Sequence, residues 1–348
     1  MNSDLIKLGL NALYFTGLHN LMAQASRGVG VIFMLHHVLA DSEHSFHPNK
    51  ILEVTPEFLD TVIEAVRVQG YDIVSIDEAC RRLLVPGNEP PFACFTFDDA
   101  ACDIKTTAYP VLKRNKCPFT VYVATAYAEG KGNAWWLVLE EIVRQASELD
   151  VELDGDLRHF STRDAEEKDA AYNQIYWSLR RDAQRRQRAR VLELADKTQI
   201  DVKEICRDKF MNWDELRQLA ADPLVTIGAH SINHFALAQL EEQEARQEMA
   251  RSAEIIGDKL GRYPRHFAYP YGDPASAGAR EFRLAADLGF ASALTTRKGV
   301  LFTEHAGHMT ALPRVSLNGS YQSRRYIDLY LTGAPFMLWN RFRRLNVA

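Results

Sequence analysis

The chain has 348 residues, 47% of them apolar and 25% charged, with a formal net charge of −5. That is ordinary for a soluble globular protein with a large core, and it gives no basic footprint for nucleic acid. Five cysteines (Cys80, Cys94, Cys102, Cys117, Cys206) form no Cys-x-x-Cys pair, which argues against a disulfide framework or a zinc ribbon and fits a reducing compartment.

Along the chain, no run approaches the roughly 18 apolar residues that would span a bilayer. Residues 5–22 are apolar on one side, but Asp4 precedes them and Asn11, His19 and Asn20 interrupt them. Without a charged leader and an unbroken apolar stretch, residues 1–28 read as an amphipathic helix and not as a secretory signal. Residues 29–35 form a β-rich apolar run that ends at His36-His37. Thr55 caps a helix over 56–69, with Pro56 at its first position and Gly70 as its stop. A short strand at 71–75 and a helix at 76–84 follow. The next buried strand, 92–97, carries Asp98-Asp99 at its C-terminal end. A helix near 106–115, a strand at 119–125 and a helix at 134–149 come next. Residues 157–209 are densely charged, helical in pattern and nearly free of glycine and proline, so about 131–210 reads as a helical insertion. The alternation resumes with a helix at 213–221, a strand at 225–228, a helix at 241–260, strands at 266–269 and 291–295 around a helix at 277–288, and a last strand at 313–317. Strands alternating with helices imply a parallel sheet, and about seven such units fit a barrel better than an open sheet. The domain reading is an N-terminal helix (1–28), a barrel (29–320) with its insertion, and a basic amphipathic C-terminal segment (321–348).

The chemistry-bearing clusters all follow strands: His36-His37, Asp98-Asp99, His230 to His234, Pro270-Tyr271-Gly272 and Arg314. In a barrel the loops after the strands share one face, so residues distant in sequence converge there. An Asp-Asp dipeptide is usually a solvated turn, and a His-x3-His pair is often two unrelated histidines. Both at strand ends make a different case. One carboxylate and two imidazoles can hold a divalent metal and leave the other carboxylate as a base, the minimum set for metal-assisted hydrolysis. The helical His-x3-His of zincins does not apply, because Ser231 stands where that motif has its glutamate.

At these residues the chain resembles the polysaccharide deacetylase family, the NodB-homology carbohydrate esterases. Thr96-Phe97-Asp98-Asp99-Ala100 is similar to that family's TFDDG. His230-Ser231-Ile232-Asn233-His234 matches H-[ST]-x-x-H, and Phe267 to Gly272 resembles the third motif. Residues 288–296 resemble the segment that usually follows, and Met34 to Val38 is similar to the YH-x-V opening of a bacterial subgroup. The resemblance implies an α/β fold, a distorted (β/α)7-type barrel. It implies Asp98 as the base and Asp99, His230 and His234 as ligands of a divalent metal, Zn²⁺ first, with Co²⁺, Ni²⁺ or Mn²⁺ as options. The backbone N–H of Tyr271 would help hold the oxyanion, a contribution of about 3–4 kcal/mol for one such donor. The implied reaction removes an N-acetyl group from an amino sugar of a glycan or lipid-linked saccharide, as in chito-oligosaccharide deacetylation or surface-polysaccharide synthesis.

Three departures bear on this reading. Ala100 replaces the glycine of the first motif. Ala268-Tyr269 supplies no arginine to orient the base. The family's closing Leu-x-His reads Leu312-Pro313-Arg314, so the general acid is missing. His36 is the first substitute donor and His37 the second. Arg314 cannot give up a proton at working pH, but it could orient Asp98 or bind substrate. Tyr127, Trp135, Trp136, Tyr269 and Tyr271 are candidates for stacking on sugar rings. His305 and His308 read as solvated loop residues. Alternatives on the same fold are a degenerate carbohydrate-binding protein and a deformylase of a lipid-linked amino sugar. The C-terminal segment sets Arg324, Arg325, Arg341, Arg343 and Arg344 among Phe336, Met337, Leu338, Trp339 and Phe342, a pattern suited to an anionic membrane surface. With the N-terminal helix it would place the protein peripherally on the inner face of a membrane. The insertion leaves a homo-oligomer contact as an option.

Overall fold

The computed structural model describes residues 3–41 and 45–347. Its centre is a ring of seven parallel strands: β1 (Gly30–Leu35), β2 (Phe92–Phe97), β3 (Phe119–Val123), β4 (Val225–Ala229), β5 (His266–Ala268), β6 (Ser292–Lys298) and β7 (Leu312–Ser316). Each pairs with its neighbour in sequence, and β1 closes the ring by pairing with both β2 and β7. A short strand, Asp72–Ile73, pairs with β2 outside this ring. β1 and β2 are buried along their whole length, as continuous apolar runs are when both faces of a parallel sheet are covered. Parallel strands need crossovers, so all seven C-terminal ends lie on one rim. The helix Pro56–Val68 starts as its sequence demands: the Thr55 hydroxyl accepts from the Phe58 N–H at 3.1 Å.

The insertion departs from the all-helical expectation. The helix Trp135–Gln145 gives way to an antiparallel hairpin of Glu148–Leu153 and Asp156–Ser161 before the helices Ala165–Arg181, Gln184–Lys197 and Val202–Lys209. The reason is legible afterwards. Leu149, Val151 and Leu153 are buried and alternate with exposed acidic residues, a period of two that charge density hid. Asp154-Gly155 turns the chain with positive φ at both residues, the chemistry of a two-residue hairpin loop.

The N-terminal stretch is two helices, Ser3–Phe15 and Leu18–Ser26, broken at Gly17, whose φ is 71°. They pack with Arg324–Thr332 and Ala334–Trp339. At Gly333 an added Cβ would lie 1.8 Å from the Ser26 carbonyl oxygen, so this closure needs glycine. Tyr326, Ile327, Leu329, Leu331 and Phe336 are buried in the main core, whereas Leu338, Trp339 and Phe342 are exposed. His305 is not a solvated loop residue: it is buried in the 3-10 helix Thr303–Ala311, and its Nδ1 accepts from the Phe302 N–H at 3.0 Å. All five cysteines are free thiols. Among the described residues no helix is long and apolar enough to cross a membrane.

Candidate active site

The register of β1 and β2 sets Leu35 opposite Phe97, so His36 and Asp98 leave the barrel side by side. Asp98 is buried, and its partner is Arg314 of β7, itself 1% exposed. The contact is bidentate: Nη1 donates to Oδ1 at 2.8 Å and Nη2 to Oδ2 at 2.7 Å. Two further bonds fix the guanidinium, from Nε to the Thr295 carbonyl at 2.9 Å and from Nη1 to the Thr96 hydroxyl at 3.2 Å. Planar fork-to-fork pairing leaves the carboxylate no rotational freedom. Burial alone would raise the Asp98 pKa, but Arg314 and His230 outweigh it and bring the group down to about 2. Arg314 therefore supplies the guanidinium that the third motif lacks.

Asp99 turns the other way, with φ at 69°. Its Oδ1 lies 3.5 Å from His230 Nε2 and 3.2 Å from His234 Nε2. One donor atom from each of the three buried residues falls within 4.8 Å of the others. The His230 Nδ1 sits 2.7 Å from the Ala268 carbonyl. A carbonyl only accepts, so Nδ1 carries the proton and the Nε2 lone pair faces Asp99. Asp99 Oδ1 and His234 Nδ1 have no hydrogen-bond partner among the described residues, a costly condition for buried polar atoms. Burial pushes the Asp99 carboxyl up against the pull of His230 and His36. Burial also drives His234 well below its ordinary value, with His230 and Arg188 adding to the effect. An orphaned carboxylate oxygen facing two imidazole nitrogens is a donor set that fits a divalent cation.

The His230–His234 loop is held from outside the motif. Glu248 accepts from the Ile232 N–H at 3.0 Å, the Asn233 N–H at 2.9 Å and the Asn233 side-chain amide at 2.6 Å. Arg188, from the insertion, donates to the carbonyls of Asn233 at 2.9 Å and His234 at 3.1 Å. The Ser231 hydroxyl accepts from the His234 N–H at 3.0 Å. The chain just past the insertion also grips the Asp99 turn, where the Met211 N–H donates to the Ala100 carbonyl at 2.9 Å. Asp99, Ala100, Ser231, His234 and Tyr271 all have positive φ without being glycine. Such backbone costs of order 1–3 kcal/mol each and persists where surrounding contacts over-determine it.

The remaining candidates separate. His37 Nδ1 bonds Asp103 at 2.8 Å, and Asp103 also accepts from the Val38 N–H at 2.7 Å. Burial would lower His37, but Asp103 raises it on balance. His36 is partly exposed, and burial lowers it against the pull of Asp98 and Asp99. Tyr271 lies with its ring 4.8 Å from that of His234, and its backbone N–H donates to no group among the described residues. Its hydroxyl accepts from Trp135 Nε1 at 2.9 Å, and Arg180 lies 4.1 Å over its ring. The stacking expectation fails for Tyr127, Trp135, Trp136 and Tyr269, which are buried in the core; only Tyr271 is partly open. Glu248, Arg188 and Arg180 had no signal in the sequence, since each stands in a stretch rich in charges, and Asp103 had none because its partner His37 lies 66 residues away.

The sequence model of the family described as polysaccharide deacetylase matches residues 87–292, more than half of the chain. No curated protein matches the sequence. Among solved structures, the deacetylase PplD of Streptococcus pyogenes is similar with a TM-score of 0.54 at 18% identity, over 83% of this chain and 92% of that one. IcaB from Ammonifex degensii gives 0.53 at 17% identity, over 88% and 97%. A de-N-acetylase from Aggregatibacter actinomycetemcomitans gives 0.55 at 14% identity, over 86% and 99%. At these identities the likeness is one of fold. The family match, the three motifs in order and the seven-stranded barrel together place the chain in the polysaccharide deacetylase family, as a carbohydrate deacetylase acting on an amide bond.

Proposed function

We propose that the protein is a divalent-metal-dependent hydrolase that converts the N-acetyl group of an amino sugar, with one water, into acetate and a free amine. The observation that carries this reading is the three-residue cluster with its buried, unpartnered Asp99 Oδ1. Asp99, His230 and His234 would hold the metal, Zn²⁺ by the nature of the donors. When bound, the cation would ease deprotonation of a water and draw electron density from the acetamide carbonyl. Asp98, held ionised and aligned by Arg314, takes the proton of the attacking water. The Tyr271 N–H, which meets no acceptor among the described residues, would receive the developing oxyanion. His36, beside Asp98 and partly open to solvent, delivers a proton to the departing amine; His37, tied to Asp103, is the weaker choice.

The substrate is an N-acetylated oligosaccharide or a lipid-linked saccharide. The test is acetate release from an N-acetylated chito-oligosaccharide by the full chain, before and after chelation and Zn²⁺ return. Release that survives complete metal removal would refute the metal role. Sugar binding without release in the metal-loaded protein would favour the degenerate binder, and formate release from an N-formyl sugar would favour the deformylase.

The terminal helices support peripheral membrane contact, because Leu5, Leu8, Phe15 and Leu21 stand exposed on them. Co-sedimentation with anionic vesicles should be strong for the native chain and lost in a Leu8→Glu/Leu21→Glu variant; no sedimentation of the native chain would remove the idea.

A further inference from the structure

A cavity of about 620 Å³ opens where the C-terminal end of β6 meets the last turn of the chain. Arg297, Lys298, Arg341 and Arg343 line it, together with Trp339 and a single acid, Asp273. That acid is already engaged. Its Oδ2 accepts from Arg180 at 3.0 Å, and its Oδ1 accepts from the Ala275 N–H at 2.8 Å and the Ser276 hydroxyl at 3.1 Å. The four cations form no ion pair among the described residues. Arg297 is the telling one. It is buried, yet its partners are neutral: Nη1 donates to the Asn346 carbonyl at 3.0 Å and Nη2 to the Ala277 carbonyl at 3.1 Å. Its Nε is buried without any partner. Carbonyls satisfy hydrogen bonds, and the Phe282 ring lies 5.0 Å from the guanidinium, but neither is a counter-ion, and a buried charge is ordinarily paired. The Lys298 ammonium lies 3.9 Å over the Trp339 ring, which adds cation–π attraction without neutralising it.

The cavity shares a wall with the catalytic rim. Thr296, which also lines it, donates from its N–H to the Gly272 carbonyl at 3.0 Å and from its hydroxyl to the Tyr271 carbonyl at 2.7 Å. At Gly272 an added Cβ would lie 2.6 Å from Thr296 N, so the two segments are in close contact. The 271–273 loop thus has the His234 ring on one side and the cationic cavity on the other. Four unpaired cations call for more negative charge than one carboxylate carries. Several oxygens on a multiply charged group answer the forked guanidinium donors.

We propose that this cavity is a subsite for a phosphate or diphosphate ester borne by the saccharide substrate. The group anchors the sugar across the 271–273 loop and presents its N-acetyl group to Asp98. The proposal rests on the deacetylase reading for the sugar, but its anion-binding part stands apart from it.

The test uses the full chain and an Arg341→Gln/Arg343→Gln variant, whose exposed sites put little at risk in folding. Calorimetric titration with inorganic pyrophosphate should show binding that the variant weakens at least tenfold. The ratio of kcat/KM for N-acetylglucosamine 1-phosphate to that for triacetylchitotriose should fall about tenfold in the variant. Pyrophosphate affinity equal in both proteins, or a ratio that does not move, would overturn the subsite. Phosphatidylglycerol vesicles provide the third arm. If the variant loses vesicle binding while pyrophosphate affinity holds, the cations serve a lipid headgroup, and the subsite is likewise overturned. If pyrophosphate binds and the variant weakens it, but neither sugar releases acetate, the deacetylase reading fails and the subsite stands.

Discussion

Asp98 and Asp99 are joined by one peptide bond, yet they belong to two differently built halves of the site. On the Asp98 side every charge is answered: both carboxylate oxygens meet Arg314, and Arg314 is completed by Thr295 and Thr96. On the Asp99 side the accounting is open, with Oδ1 and the His234 Nδ1 unpartnered and three donor atoms turned on one another. Under the proposed function, this contrast would let one dipeptide serve two tasks. A base must be held ionised and still, so its site is closed by a built-in cation. A ligand set must leave room for a cation from outside, so its site is left incomplete. The positive φ of Asp99 is what sends the two side chains to opposite halves.

The strongest attack on this contrast is Asp98→Asn. It keeps the shape, loses the proton acceptor, and should lower kcat by about 10²–10⁴-fold with KM little changed. Metal content should stay at the native level, because the open half is untouched. An Asp98→Asn protein with kcat within tenfold of native would break the division of labour. Next comes Asp99→Asn, which should reduce bound metal measured by elemental analysis and lower activity by at least about a hundredfold. In the native chain Zn²⁺ at a hundred times its Kd should add about 2.7 kcal/mol of stability, seen as a raised Tm. That increment should vanish in Asp99→Asn. A Tm response to Zn²⁺ that survives the substitution would move the metal elsewhere.

Arg314→Lys probes the closed half more gently. Charge is kept, but the fork is lost, and kcat should fall about 10–100-fold. The sign of the accompanying pH effect follows from the Arg314 contact, which is a main reason Asp98 lies as low as about 2. Weaken that contact and the Asp98 pKa rises, so the acid limb of the kcat/KM profile should move to higher pH. A limb that stays in place, with a full loss of kcat, would make Arg314 a purely structural residue.

How much of this could be read in the chain follows the same line. The ring of strands was legible because continuous apolar runs bounded by turn residues mark buried parallel strands. The convergence of Asp99, His230 and His234 was legible because they sit in two short motifs at strand ends. Arg314 was visible as a departure from pattern, but its contact with Asp98 depends on the closure of β7 onto β1, which no local signal encodes. The hairpin in the insertion was hidden because the exposed residues of its first strand, Glu148, Asp150 and Glu152, are acidic and continue the charge density of the helices around it. The side chains that brace the histidine loop were invisible for another reason. Glu248 lies on the helix Glu242–Leu260 among many charges, and only tertiary contact distinguishes it from its neighbours.

Glu248 also yields the smallest and most discriminating test. It touches neither Asp98 nor the three donor atoms, yet it ties down two of the three N–H groups between the two histidines. Glu248→Gln keeps size and burial, and its one oxygen can still take the Ile232 and Asn233 N–H groups, but its amide nitrogen then meets the Asn233 side-chain amide, donor against donor, and the negative charge that holds the loop is lost. Removing partners of this kind typically weakens metal affinity by about 10–100-fold. The lower end applies here, because Arg188 still holds the loop through the Asn233 and His234 carbonyls. We therefore expect Zn²⁺ affinity to fall about tenfold in a competition titration, with kcat at saturating Zn²⁺ within about threefold of native. The closed half should not notice: the acid limb of the pH profile should stay where it is. A variant that kept full metal affinity but lost kcat would place the influence of Glu248 on the Asp98 side and erase the boundary between the halves.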